Sequence, residues 1–78
     1  MENLLQRITF DSQVLRGKPV IRGLRISVEM ILELLAKGSA VQEILEDYPD
    51  LEMEDIQAAL AYAQQLVSAE IVYERVAA

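Results

Sequence analysis

Residues 27–56, SVEMILELLAKGSAVQEILEDYPDLEMEDI, hold the starts of three helices and the stops of two. Ser27 is a good N-cap, and Ile26 with Ile31 stands at the N′ and N4 positions of a hydrophobic staple. Gly38 ends this first helix, residues 27–37, by taking the left-handed C′ position. Its polar residues are confined to Glu29, Glu33 and Lys37, so the remaining faces are apolar and the helix is expected at the centre of the fold. Ser39 with Gln42 reads as a capping box opening a second helix over residues 39–48. Val41, Ile44, Leu45 and Tyr48 recur there at helical spacing. Pro49 stops it, because the residue before a proline is pushed out of helical geometry. Leu51 and Ile56 then bracket Glu52 as a second staple. The third helix follows from Met53 to Ala69, with Ile56, Ala59, Leu60, Ala63 and Val67 on one face. The expected core is Ile31, Leu35, Ile44, Leu45, Ile56, Leu60 and Ala63.

Outward from these helices the pattern changes at both ends. At the C-terminal side, EIVYERV is rich in residues that favour extended structure, so residues 70–78 are expected as an extended tail. On the N-terminal side, residues 7–26 form a turn-rich arm. Arg7–Phe10 and Leu24–Ile26 read as short strands, with turns at Gly17-Lys18-Pro19 and at Gly23. The expected architecture is one mainly α domain, residues 1–78. It is a three-helix, homeodomain-like helix-turn-helix core with a short N-terminal β arm and an extended C-terminal segment.

The chain has 78 residues and a net charge of −6, and it contains neither cysteine nor histidine. Domains of this size bury only about 60% of their unfolded surface. With 53% hydrophobic residues, some apolar surface is expected to meet another chain, and a homodimer is the expected state. The opening MENLLQRITF lacks the basic start and long apolar run of a signal peptide. Charges interrupt every apolar stretch too often for a membrane span. A cytoplasmic protein with no membrane association is expected.

Charge is unevenly distributed. Residues 1–26 carry Arg7, Arg16, Lys18, Arg22 and Arg25 against Glu2 and Asp11, whereas residues 27–78 carry Lys37 and Arg75 against eleven acids. The absence of histidine and cysteine removes the usual imidazole base and thiolate nucleophile, and no serine has a visible base partner. No enzyme activity, catalytic residue or cofactor is expected. The acids Glu46, Asp47, Asp50, Glu52, Glu54 and Asp55 lack the spacing and glycine of a calcium loop. They read as a solvated edge supporting the start of the third helix, and no metal is expected.

The second and third helices have the lengths and connection of a helix-turn-helix. In a DNA reader the start of the later helix approaches the major groove. Here that start carries Glu52, Glu54 and Asp55, and no Arg or Lys exists anywhere in that helix to read guanine. The geometry fits DNA and the charge opposes it. The candidate binding residues for a partner or nucleic acid are therefore in the arm: Arg16, Lys18, Arg22 and Arg25. Arg16 and Lys18 flank Gly17, and Arg22 and Arg25 flank Gly23 and Leu24, so two turns each display a pair of bases. An alternative stands beside this one, in which Arg22 and Arg25 pair with carboxylates of the helices.

Taken together, ITFDSQVLRGKPVIRGLRISV, ILELLAKGSAVQEILEDYPDLEMEDIQAALAYA and the aliphatic ending resemble domain-of-unknown-function family 433. These are small prokaryotic helix-turn-helix proteins, many of them similar to antitoxins of type II toxin–antitoxin pairs. The resemblance runs from about Arg7 to Tyr73 and rests on GKPVIRG-x-RI together with DYPDL. Leu24 departs from the threonine usual at its position, and Glu52 from a capping serine or threonine. The resemblance implies a cognate toxin as partner, commonly a PIN-like ribonuclease, and dimerisation. Three functions are thus expected in order. The first is a non-enzymatic antitoxin that masks the toxin, with Arg22 and Arg25 entering its acidic metal-binding pocket. The second is a DNA-binding autoregulator using the basic arm, with weak operator binding, and the third a structural dimerisation module.

Overall fold

A computed structural model describes the backbone of residues 3–77 and the side chains of residues 3–68. The chain is mainly helical, with a two-stranded antiparallel sheet in its N-terminal part. A 3-10 turn, Leu4–Arg7, leads into β1 (Ile8–Thr9). A second 3-10 turn, Leu15–Gly17, precedes β2 (Val20–Ile21). Three helices follow: α1 (Val28–Ala36), α2 (Val41–Asp47) and α3 (Met53–Ala77).

The helix boundaries follow from caps. The Ser27 hydroxyl accepts from the Met30 N–H at 2.9 Å and opens α1. At the other end, Ser39 N–H bonds Leu34 O and Gly38 N–H bonds Leu35 O, both at 3.0 Å, while Gly38 adopts φ +98°. That pair of bonds around a left-handed glycine is the Schellman closure. The start of α2 lies one residue later than the Ser39–Gln42 reading. Ala40 occupies the cap position, and its N–H is satisfied by the Glu43 carboxylate at 2.9 Å. Glu43 stands at N3 of that cap, the position from which a side chain reaches back to the cap N–H, and Gln42, one residue earlier, is exposed.

The arm pairs differently from expectation. β1 lies antiparallel to β2 with Ile8 opposite Ile21 and Thr9 opposite Val20, and Leu24–Ile26 is not a strand. The chain reverses directly after Ile21 through Arg22 (φ +44°) and Gly23 (φ +72°), closed by Leu24 N–H to Ile21 O at 2.7 Å. Two successive positive φ angles are what a tight hairpin turn of the I′ kind requires. The returning segment bonds β2 through Ile21 N–H to Ile26 O, and Val20 bridges Ser27. β2 is thus flanked on both sides, and Val20 and Ile21 are completely buried.

The core gathers Ile8, Ile21, Val28, Ile31, Ile44, Leu51, Ile56, Ala58 and Ala59, with Leu35 and Leu45 half-buried against it. The staple residues lie where they were expected: Ile26 packs against the cluster that holds Ile31, and Leu51 and Ile56 belong to that same cluster. Two expectations fail on α3. Leu60 is 47% exposed and Ala63 only half-buried, whereas Ala58 and Asp55 are fully inside. The helix is rotated so that Asp55 faces inward, and at 100° per residue this carries Leu60 and Val67 to the outside. The second failure concerns the extended tail expected over residues 70–78: α3 continues as helix to Ala77, and Ala78 lies outside the described residues. No glycine or proline follows Pro49. Each added residue of an existing helix gains a hydrogen bond without a new nucleation cost, so propagation outweighs the local β preference of Ile71 and Val72.

Candidate functional site

Asp55 is the organising group of the molecule. It is the third residue of α3 and its side chain is fully buried. One carboxylate oxygen, Oδ1, accepts from Arg7 Nη1 at 2.9 Å and from Arg22 Nε at 3.0 Å. The other, Oδ2, accepts from Arg22 Nη2 at 2.8 Å and from the Glu52 backbone N–H at 2.8 Å. Arg22 Nη2 also donates to Asp50 O at 2.7 Å, and Arg7 Nη1 to Glu52 Oε1 at 2.8 Å. The arm is therefore fastened to the start of α3 by a side-on, two-point guanidinium–carboxylate pair and a second arginine. Such planar bidentate pairing is a property of arginine that lysine cannot reproduce.

The local chain makes this possible. The I′-type turn projects Arg22 toward α3, and Arg22 N–H is held by Arg7 O at 2.8 Å, which places the two arginines side by side. On the helix, the Asp55 carboxylate satisfies one of the orphan N–H groups that every helix start leaves. Burial alone would raise the pKa of Asp55. The hydrogen bonds from Arg22, the Glu52 N–H and Arg7 overcome that, and the group lies below the ordinary aspartate value. The hydrogen bond to Asp55 likewise raises the pKa of Arg22. Both groups are held in their charged forms.

The four basic residues singled out in the sequence separate into distinct environments. Arg22 is committed to the fold, which is the alternative reading of that residue. Lys18 pairs with Glu29 at 2.8 Å on the surface, and this contact lowers the pKa of Glu29. Exposed pairs of this kind contribute little and exchange readily. Arg16 and Arg25 are exposed and make no ion pair among the described residues. Arg16 and Lys18 line a surface cavity of about 320 Å³ together with Leu15 and Ser27. Arg16 itself has φ +58° between Leu15 at +47° and Gly17 at +82°, an unusual run of left-handed backbone.

Sequence reasoning treated Glu52, Glu54 and Asp55 as one solvated edge, and the structure corrects it. Asp55 is internal and Glu52 is tied to Arg7, which leaves Glu54 the unpaired member of the three among the described residues. Arg7 was not among the candidates, although its place in the basic half of the chain was visible. Among the described residues no cluster of acids suits a metal ion, and no helix is long and apolar enough to cross a membrane.

A second surface feature is hydrophobic. A shallow groove of about 220 Å³ between α1 and α3 is lined by Pro19, Val28, Leu32, Tyr62, Ala63 and Leu66, with Glu29 at its edge. Nearby, Phe10 stands 6.2 Å from Tyr62, ring centre to ring centre, in a tilted pair that joins the arm to α3.

Comparison with known proteins places this geometry in a family. Residues 8–63, from β1 into α3, match the family described as "Protein of unknown function (DUF433)", and the chain belongs to it. It is 37% identical over 57 residues to the uncharacterized protein y4eO of Sinorhizobium fredii (strain NBRC 101917 / NGR234). That match covers 73% of this chain and 26% of the relative, so the chain spans about a quarter of the relative's length. Its fold is similar to the crystal structure of a DUF433 member protein from Anabaena variabilis ATCC 29413 at 2.00 Å resolution. The TM-score is 0.73 at 30% identity, over 92% of this chain and 69% of the other.

Proposed function

We propose that this DUF433 chain is a non-enzymatic, antitoxin-like binding protein that masks an acidic, metal-dependent pocket of a partner ribonuclease with its arm. The observation that carries this reading is the division of labour among the arm's bases. Arg7 and Arg22 are consumed by Asp55 and Glu52, whereas Arg16 and Arg25 stand exposed and unpaired among the described residues. On an otherwise acidic protein, those two side chains and the exchangeable Lys18 are the complement to a pocket of carboxylates. The bidentate geometry of arginine suits such a target. The nuclease character of the partner, a PIN-like toxin, comes from the antitoxin resemblance of the family. Arg22, expected from the sequence to enter that pocket beside Arg25, now serves as the strut behind the arm.

The test is a complex formed by co-expression with the product of an adjacent gene. Arg16→Glu with Arg25→Glu should weaken that complex and restore nuclease activity while the helical signal stays unchanged. Full inhibition by the folded double variant would refute the reading.

A DNA-binding autoregulator, with α2 and α3 as its helix-turn-helix, is the second reading, and one observation favours it. The internal pairing of Asp55 and Glu52 lightens the negative charge at the start of α3 relative to what the sequence implied. Binding to promoter duplex would then weaken steeply with salt and depend on Arg16, Lys18 and Arg25.

A further inference from the structure

One surface cavity gathers two bases that the core does not consume. It has a volume of about 320 Å³ and is lined by Leu15, Arg16, Lys18 and Ser27. The turn that carries Arg16 and Lys18 is closed by Gly17 N–H to Val14 O at 3.1 Å and Lys18 N–H to Leu15 O at 3.2 Å. Val28 N–H to Pro19 O at 3.0 Å then fastens the exit of the turn to the start of α1, which brings it beside Ser27. Ser27 is only 9% exposed, and its hydroxyl accepts from the Met30 N–H, which leaves its own O–H to donate. Arg16 makes no ion pair among the described residues, and Lys18 is held only by the solvent-exposed Glu29. Leu15 and Arg16 both adopt left-handed backbone, which residues other than glycine rarely take. At Arg22 the same strain is offset by the Asp55 pair, whereas the Arg16 side chain has no such partner among the described residues. Strain that persists without an evident return to the fold is characteristic of ligand clamps.

We propose that this cavity binds the dianion of a small phosphate monoester, with Arg16 and Lys18 on its charge and the Ser27 hydroxyl donating from the buried side. The donor set selects phosphate over carboxylate. A carboxylate offers two oxygens and one charge, which a single arginine satisfies side-on. A phosphate monoester offers three oxygens and a charge of about −1.5 to −2 at pH 7, enough for two cations and a hydroxyl together. Size points to a small molecule, because this volume lies at the lower end of the roughly 300–1,000 Å³ of ligand pockets. Leu15 supplies an apolar wall for the group that carries the phosphate. Lys18 reaches the ligand by leaving Glu29, an exposed pair that holds it weakly. The site shares Arg16 and Lys18 with the surface proposed for a partner, but it is tested on the chain alone, so the two readings fail separately.

The experiment titrates the whole chain with phenyl phosphate and follows its backbone amide shifts by NMR. Saturable shifts should concentrate at Leu15–Lys18 and Ser27. The net charge of −6 repels anions in general, so saturation at these residues reports a specific site. Phenyl methyl phosphate keeps the ring but carries a single charge and one oxygen fewer, and it should bind about tenfold more weakly or worse. Arg16→Gln should lose about tenfold or more, as expected for a hydrogen bond to a charged group. Lys37→Gln removes the same charge from the far end of α1, about ten residues and hence roughly 15 Å along the helix from Ser27. That exceeds the screening length of about 10 Å at 0.1 M salt, so its affinity should stay within about twofold. Shifts that rise linearly without saturating, or that saturate elsewhere on the chain, overturn the proposal. So does equal affinity for the diester, or a loss in Arg16→Gln no larger than that in Lys37→Gln.

Discussion

The arm contains the same dipeptide twice, Arg16-Gly17 and Arg22-Gly23, and both copies take the same left-handed backbone. Arg16 and Arg22 have φ of +58° and +44°, and their glycines +82° and +72°. Their side chains meet opposite fates. Arg22 is locked onto a buried carboxylate, and Arg16 stands in solvent at the edge of a cavity. The difference lies in what each turn faces. The Arg22 turn is hydrogen-bonded to Arg7 and Thr9 and looks onto the start of α3, whereas the Arg16 turn is closed only by local bonds to Val14 and Leu15. A basic turn becomes structural or available according to an acid placed far along the chain.

The largest effect is expected from removing that acid. Asp55→Ala leaves Arg7 and Arg22 without their shared counter-charge, and breaking a buried pair in this way costs about 3–5 kcal/mol. The lower end applies here, because Arg22 retains 37% side-chain exposure and water can solvate it. Chemical denaturation measures the loss, and a change below about 1 kcal/mol would show that the cluster is incidental to the fold. The pH dependence sharpens the point. Asp55 is depressed in the folded state, so its contribution is complete above its unfolded pKa of about 3.9. It is lost as pH falls through the lower folded value. The stability gap between the natural chain and Asp55→Asn should therefore be constant from neutral pH to about pH 4 and close below that. A gap that closes near neutral pH would assign the effect to another group.

The two turns themselves give the next contrast. Arg22→Ala loses three hydrogen bonds, two of them to a charged acceptor, and should cost about 1.5–3 kcal/mol. Arg16→Ala should fall within about 0.5 kcal/mol of the natural chain, as surface changes usually do. Equal losses at the two positions would erase the distinction on which the proposed function rests.

Much of the fold was legible because caps, staples and stops are local. Ser27, Gly38, Pro49 and the Leu51–Ile56 staple each act within one helical turn, and each appears where the sequence placed it. The face of α3 was not legible for a physical reason. Periodicity offered a single apolar arc including Ile56, Leu60 and Val67, yet the helix turns to satisfy one charge, Asp55, whose partners lie 33 and 48 residues away. A buried carboxylate reads in sequence like any other member of an acidic run. The tail failed for the opposite reason, since local propensity was read where helix propagation decides. Of the four candidate bases, the sequence could not tell that the fold consumes Arg22, because the acid that claims it lies 33 residues away.

The smallest expected effect is also the most specific to the paired turns. Neither arginine position favours an L-residue, since left-handed backbone costs roughly 1–2 kcal/mol outside glycine. Replacing the arginine by glycine relieves that cost but frees the unfolded chain, which takes back about 0.4–1 kcal/mol. For Arg16→Gly nothing else changes, because its side chain is exposed and unpaired among the described residues. The net should lie between neutral and a stabilisation of about 1.6 kcal/mol. For Arg22→Gly the same relief is set against the loss of the Asp55 pair, and the sign reverses. Denaturant midpoints at unchanged slope separate the two outcomes. Destabilisation of Arg16→Gly comparable to that of Arg22→Gly would mean that the Arg16 side chain also holds the arm together. Both turns would then be structural, and the contrast between them would disappear.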